Sequence, residues 1–189
     1  MQPSNGKRPP RPILGVDLDN VLTRTDALIR QLIEEMFGTK LSQSDIKHFD
    51  YHLCGVTRDQ EREVFGRFHE KECEKVALIE DALAALKTLN HFFDIHIVTG
   101  RPSETRRLTI EWLTKNSIPY SELDFRKEKH MSKVHFKAFV EDHREHAYAM
   151  ARRSVKSFLI NYPWNQPNPV DPPNVIRVDT WQEILEELT

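Results

Sequence analysis

Glycine is scarce in this 189-residue chain: only Gly6, Gly15, Gly38, Gly55, Gly66 and Gly100 occur, and no two stand closer than nine positions. That spacing excludes the P-loop, the dinucleotide-binding G-x-G-x-x-G and the G-x-S-x-G nucleophile elbow together, because each sets two glycines within a few residues of one another. Cysteine is scarcer still. Cys54 and Cys73 form no C-x-x-C pair and the sequence shows no apolar leader, so a reduced, cytoplasmic setting is expected. Long apolar runs are missing too; none approaches the roughly 20 residues that cross a bilayer, and no membrane partner is expected. Nor does one sign of charge prevail, since 27 Lys and Arg meet 29 Asp and Glu for a formal net charge of -2. The overall field gives no reason to expect nucleic acid as a partner. Nine histidines occur without H-E-x-x-H or paired Cys/His spacing, and read as solvated surface instead of a zinc site.

Apolar residues make up 39% of the chain and charged ones 30%, with a mean hydropathy of -0.59. One well-solvated domain with at most a small insertion follows from that balance and from the length. Residues 1–12, rich in proline and basic side chains, read as a flexible tail, and order is expected from Ile13. The run Ile13 to Val16 predicts a short buried strand, and apolar spacing at Leu28, Leu32, Ile33 and Met36 predicts a helix from Asp26 to Phe37 that stops at Gly38. Between Leu41 and Val76 the chain turns polar, and a capping box Thr57-x-x-Gln60 opens a helix burying Val64, Phe65 and Phe68.

From Ile79 onward helix and strand alternate. Helices are expected at 81–89, 103–115 and 144–153, and strands at 94–98, 123–126, 138–140, 157–160 and 175–178. A second capping box, Thr180-x-x-Glu183, opens a C-terminal helix, and Pro163 to Pro173 reads as an extended loop. Such alternation predicts an α/β fold, a Rossmann-like parallel sheet with helices on both faces.

In a parallel sheet the ligand site lies beyond the carboxyl ends of the strands. There the first strand delivers Asp17 and Asp19, the second Thr99 and Gly100, and the fourth Glu141 and Asp142. Carboxylates converging at a dry sheet mouth repel one another, and a hard divalent cation with oxygen ligands, best Mg²⁺, is the expected remedy. A phosphate dianion is the natural guest of such a cation, with the Thr99 hydroxyl, the Gly100 amide and one lysine sharing its charge.

These residues resemble a known family. Ile-Leu-Gly-Val-Asp17-Leu-Asp19-Asn-Val-Leu is similar to the first motif of the haloacid dehalogenase superfamily of phosphohydrolases, Ile-Val-Thr99-Gly100-Arg101 to its second, and Phe-Val-Glu141-Asp142 to its fourth. The resemblance implies that Asp17 is the nucleophile and Asp19 the general acid/base. It further implies that Asp17, the backbone carbonyl of Asp19, and Asp142 hold Mg²⁺, with Glu141 beside them, and that Thr99, Gly100 and Arg101 meet the phosphoryl group. Arg101 suits either a phosphate or a carboxylate partner. Two departures from the family pattern stand out: Asn20 replaces the usual glycine, a position asparagine tolerates, and Glu141 replaces the commoner aspartate. The third motif is a lysine, and Lys127, Lys129, Lys133 and Lys137 all precede the fourth strand. Lys133 is chosen, eight positions before Glu141, with Lys129 as the alternative.

Within that superfamily the chain resembles the 5'(3')-deoxyribonucleotidase group and its bacterial relatives, through Phe49-Asp50-Tyr51 and Asn161-Tyr-Pro-Trp164-Asn165. The resemblance implies a core of residues 13–24 and 79–189 and a helical cap at 25–78 that closes over small substrates. Phe49 and Tyr51 are then candidates for specificity, although packing is the plainer role for either ring. The implied activity is Mg²⁺-dependent hydrolysis of a phosphomonoester through an aspartyl-phosphate, with a nucleoside monophosphate as substrate. Three alternatives remain: sugar phosphates or other small metabolites as substrate, a polynucleotide end as substrate, and a non-catalytic nucleotide-binding or regulatory protein. A homodimer is one open arrangement.

Overall fold

A computed structural model describes residues 11–166 and 170–189. Six parallel strands form one sheet in the order β3-β2-β1-β4-β5-β6. They are β1 (Ile13–Val16), β2 (Asp94–Thr99), β3 (Glu122–Phe125), β4 (Phe136–Glu141), β5 (Lys156–Ile160) and β6 (Val175–Val178). The helices are α1 (Thr25–Phe37), α2 (Arg58–Arg67), α3 (Ala82–Leu89), α4 (Arg106–Lys115), α5 (Arg144–Ala151) and α6 (Trp181–Leu188). The order reverses between β1 and β4, so the crevice at their carboxyl ends is the place where such sheets bind ligands.

Strand alternation sorts the core onto two faces. Leu14, Val16, Ala138, Val140, Phe158 and Ile160 join the main apolar cluster with residues of α3, α4 and α6. Phe139 points the other way and packs with Met150 of α5, joined by Phe136, which lies on the far side of a register irregularity between the partners of Ile13 and Leu14. Gly15 shares that second face for a steric reason, since a Cβ there would lie 2.2 Å from the Phe139 ring. Gly15→Ala is therefore expected to overpack this face and to cost about 1–3 kcal/mol, measured by urea denaturation of purified protein. An unchanged midpoint would show that Phe139 can move aside freely.

The elements follow the sequence pattern closely, and the departures have local causes. Order starts before Ile13: Arg11 pairs with Asp94 at 2.5 Å and the Pro12 carbonyl accepts from the Asp94 amide, which ties the end of the expected tail to β2. The rest of the tail, residues 1–10, lies outside the described residues, as do residues 167–169 of the proline loop. The Thr57/Gln60 capping box is complete, and Gly38 ends α1 in the left-handed region at φ 68°. At α6 only half of the second box forms, because Glu183 reaches back to the amide of Asp179 and not to that of Thr180.

The segment between β1 and α3 carries α1, two short 3₁₀ turns and α2, and closes with a π turn at Phe68–Glu72. It has an apolar cluster of its own, containing Ile29, Ile33, Ile46, Tyr51, Val64 and Phe68, to which the main body contributes Leu108 and Trp164. Its two ends run side by side. Arg24 donates to the Ala77 carbonyl at 2.8 Å and Ile79 to that of Leu22 at 2.9 Å. Trp181 and Trp112 buttress this neck by donating their indole N–H groups to the carbonyls of Val21 and Val76.

Candidate active site

The first turn beyond β1 fixes two carboxylates in different surroundings. Asn20 sits in the left-handed region at φ 57°, as its asparagine side chain allows. That side chain accepts from the Asp26 amide at 2.7 Å and donates to Asp142 at 3.2 Å, which joins the β1 turn to the end of β4. Asp17 is buried and faces the acids of β4. One carboxylate oxygen from each of Asp17, Glu141 and Asp142 lies within 4.8 Å of the others. Burial raises the proton affinity of Asp17 well above the carboxylate norm, and Glu141 reinforces it. Asp142 is pushed up to about 8 by burial and again by Glu141. Glu141 goes the other way, to about 2: burial would raise it, but Lys129 and His146 outweigh that.

The lysine of this cluster is Lys129. Its ammonium lies 2.7 Å from Asp17 and 2.6 Å from Glu141, with only 2% of the side chain exposed. Lys133 is exposed, so the expectation that it joins the acids is corrected. The reason is the path of the chain. Lys129 opens a 3₁₀ turn, Lys129–Met131, that folds over the end of β4, and Lys133 has left the site by the time the chain enters the strand. Burial opposes the Lys129 charge, yet the two carboxylates raise its proton affinity above the usual lysine value.

Asp19 stands apart from that cluster and belongs to Arg101. The guanidinium donates Nε to Oδ2 at 2.9 Å and Nη2 to Oδ1 at 2.6 Å, and the Thr25 hydroxyl adds 2.6 Å to Oδ1. Burial would raise the Asp19 carboxyl, but Arg101 and Thr25 hold it below the ordinary value. Of the two partners expected for Arg101, a phosphate and a carboxylate, its planar fork meets the Asp19 carboxylate here. Thr99 is fully buried, its hydroxyl accepting the Arg101 amide at 3.2 Å. Gly100 lies on the wall of a cavity of about 330 Å³ that opens over Asp17, Asp19 and Asp142.

The helical segment supplies the far wall of that cavity with Ile29, Ile46, Phe49, Tyr51 and Phe65. Phe49 is 48% exposed and meets the His143 ring edge-on at 4.1 Å. Tyr51 is buried, and its hydroxyl donates to Asp26 at 2.8 Å. Trp164 also lines the cavity, stacked on Tyr162 with ring centroids 4.2 Å apart.

Residues 11–188 match the family described as 5' nucleotidase, deoxy (pyrimidine), cytosolic type C protein. The chain belongs to this family. It is a nucleotidase-type phosphomonoester hydrolase of the haloacid dehalogenase superfamily. A protein named as a nucleotidase in Clostridium acetobutylicum is 24% identical over 174 residues, covering 89% of both chains. A provisionally assigned 5'(3')-deoxyribonucleotidase of Chlorobaculum tepidum is 24% identical over 185 residues, 92% of this chain and 88% of that one. Among solved structures, a haloacid dehalogenase-type hydrolase of Bacillus subtilis bound to magnesium superposes with a TM-score of 0.64 at 16% identity, over 95% of this chain and 99% of that one. That likeness speaks for the fold.

Hydrolases of this superfamily generally use Mg²⁺, and the acids of this nucleotidase fit such an ion. Glu141 is already paired with Lys129, and the Asp19 carboxylate with Arg101. Asp17 and Asp142 remain, two buried oxygen donors whose proton affinities are raised by burial and by Glu141, and which a divalent cation would suit.

Several residues here were not singled out from sequence. His143 and His146 could have been, because they follow Asp142 into the first turn of α5, where side chains face the strand ends. His69 could not, and the sequence marks Phe68 only as a buried residue of its helix. Both sit at the start of the π turn, which departs from the 3.6-residue period used to sort helical faces and brings them to the cavity.

Proposed function

We propose that this nucleotidase hydrolyses a nucleoside monophosphate, with Asp17 as nucleophile and Asp19 as general acid/base. The observation that carries the reading is the contrast between the two carboxylates: Asp17 lies among acids and Lys129, Asp19 apart from them under Arg101. An Asp17 oxygen attacks phosphorus in line as the ester oxygen departs on the opposite side, forming an aspartyl-phosphate. The departing alkoxide takes a proton from Asp19. Arg101 favours the carboxylate form of Asp19, and the negative charge of an arriving phosphate ester offsets Arg101 and restores the proton affinity of Asp19. Asp19, left as a carboxylate, then removes a proton from the water that cleaves the acyl-phosphate. Lys129 holds one Asp17 oxygen and offsets charge on the phosphoryl group, as does the Gly100 amide. Asp17, Asp142 and the backbone carbonyl of Asp19 would hold Mg²⁺, which when bound supplies positive charge to the phosphoryl oxygens.

Cavity size and lining support a nucleoside as leaving group. About 330 Å³ lies at the small end of ligand pockets and suits a small monomer. Its outer wall is aromatic and aliphatic, which favours a base over a bare sugar. Segment 25–78 acts in this reading as the cap that shields the site from water.

The test is hydrolysis of a panel of nucleoside monophosphates and sugar phosphates, with Mg²⁺ and with chelator, in wild type, Phe49→Ala and Tyr51→Phe. Wild type should prefer a nucleotide and fall silent in chelator. Phe49→Ala should lower kcat/KM for that nucleotide roughly tenfold or more, as loss of stacking of about 1–3 kcal/mol requires. Acetyl phosphate turnover should change little. Tyr51→Phe keeps the ring and breaks only the bond to Asp26, so any loss should be equal on both substrates. Equal loss on both substrates for Phe49→Ala, or preference for a sugar phosphate, would end the nucleotide reading.

A further inference from the structure

Arg101 is among the most completely buried cations in the described part of the chain, with 1% of its side chain exposed. Three different parts of the fold hold it. Its amide donates to Thr99 at the end of β2, Nη1 reaches the Thr109 hydroxyl of α4 at 3.4 Å, and the guanidinium carbon lies 5.3 Å from the centre of the Phe68 ring. Phe68 begins the π turn of the helical segment, so the fold departs from regular helix at the residue that covers Arg101.

The two oxygens of Asp19 are treated unequally. Oδ1 accepts from Thr25 at 2.6 Å, from Nη2 at 2.6 Å and from Nε at 3.2 Å. Oδ2 accepts from Nε at 2.9 Å. A planar fork engaging both oxygens fixes the rotation of the carboxylate as well as its position, which a single hydroxyl does not. Asp19 lines the cavity, and Oδ2 is its less saturated oxygen.

We propose that Arg101 is a positioning residue for proton transfer: clamped between Phe68 and Thr109, it turns Asp19 so that Oδ2 carries the proton to and from the reacting oxygen. This role rests on the acid/base assignment of Asp19 made above and takes the carboxylate, of the two partners expected for Arg101, as the one it serves. Proton delivery matters most when the leaving group is a poor one, and leaving-group dependence therefore reads it out.

The experiment compares wild type, Asp19→Asn, Arg101→Gln, Arg101→Lys and the Asp19→Asn/Arg101→Gln double variant, each saturated with Mg²⁺. The substrates are a nucleoside monophosphate, with an alkoxide leaving group, and 4-nitrophenyl phosphate, whose phenolate needs little help. Asp19→Asn should lose about 10²- to 10⁴-fold on the nucleotide and far less on the aryl ester. Arg101→Gln should show the same asymmetry, with roughly 10- to 100-fold lost on the nucleotide and under about threefold on the aryl ester. Arg101→Lys, a point charge without the fork, should fall between wild type and Arg101→Gln. The double variant should be no slower than Asp19→Asn alone, since a positioning residue has nothing to act on once its partner is gone.

Equal loss on both substrates for Arg101→Gln would return the residue to phosphate binding. Multiplying losses in the double variant, or no loss at all, would likewise overturn the proposal. If Asp19→Asn itself lacks the asymmetry, the acid/base reading falls and the role of Arg101 falls with it, an outcome the single Asp19 variant identifies. Should Arg101→Gln not fold, as a thermal melt would reveal, Arg101→Lys carries the same comparison.

Discussion

Asp17→Asn is expected to end turnover while leaving the protein as stable as before or more so. The amide keeps the shape of the side chain and removes the attacking oxygen, and loss of a nucleophile costs about 10⁴-fold or more in kcat. Stability should move the other way for an electrostatic reason. Burial and the neighbouring Glu141 raise the proton affinity of Asp17 well above normal, so its charge is held at a cost to the fold. A neutral amide removes that cost. Hydrolysis of 4-nitrophenyl phosphate with Mg²⁺ and a thermal melt without it check both halves. Activity within tenfold of wild type would take the nucleophile role from Asp17, and a large fall in melting temperature would show that its charge is satisfied by Lys129 alone.

Lys129→Met should fail on both counts. Glu141 is fully buried and Asp17 nearly so, and Lys129 is the cation that joins them at 2.6 and 2.7 Å. Removing one partner of a buried ion pair leaves uncompensated charge, at about 3–5 kcal/mol. Activity should fall by at least about 10²-fold as phosphoryl charge loses its nearest lysine. Lys133→Met, the matched control four residues away, should leave both properties nearly unchanged, within about 0.5 kcal/mol, as for an exposed side chain. Urea denaturation and steady-state assays of the two variants side by side decide between the lysines. A silent Lys129→Met would sink the assignment.

The contrast between those lysines marks where the sequence stops being informative. Strand ends could be read directly, because a short apolar run that breaks into acids leaves one interpretation in a parallel sheet, and Asp17, Asp19, Glu141 and Asp142 all fall there. The third-motif lysine comes from irregular chain between β3 and β4, where no period says which of Lys127, Lys129 and Lys133 turns inward. Phe49 and Tyr51 show the same limit. Two residues apart beside a 3₁₀ turn, one ring is exposed to the cavity and the other is buried on Asp26. Arg101 was legible as a charged residue at a strand end, but its partner Asp19 lies 82 positions away, and only the adjacency of β1 and β2 brings them together.

The neck of the helical segment also bears on how such proteins could be recombined. Its two crossing strands lie hydrogen-bonded to each other, so the segment enters and leaves at a single splice point, and a few residues would bridge Arg24 to Ala77 if it were cut out. As a covalent unit the segment is transplantable. As a packing unit it is not, because Leu108 and Trp164 of the main body complete its apolar cluster. A chimera carrying residues 25–78 alone would strand two large apolar side chains on the donor core and present foreign ones to the graft. Exchanging substrate preference among relatives by swapping this segment should therefore require positions 108 and 164 to travel with it.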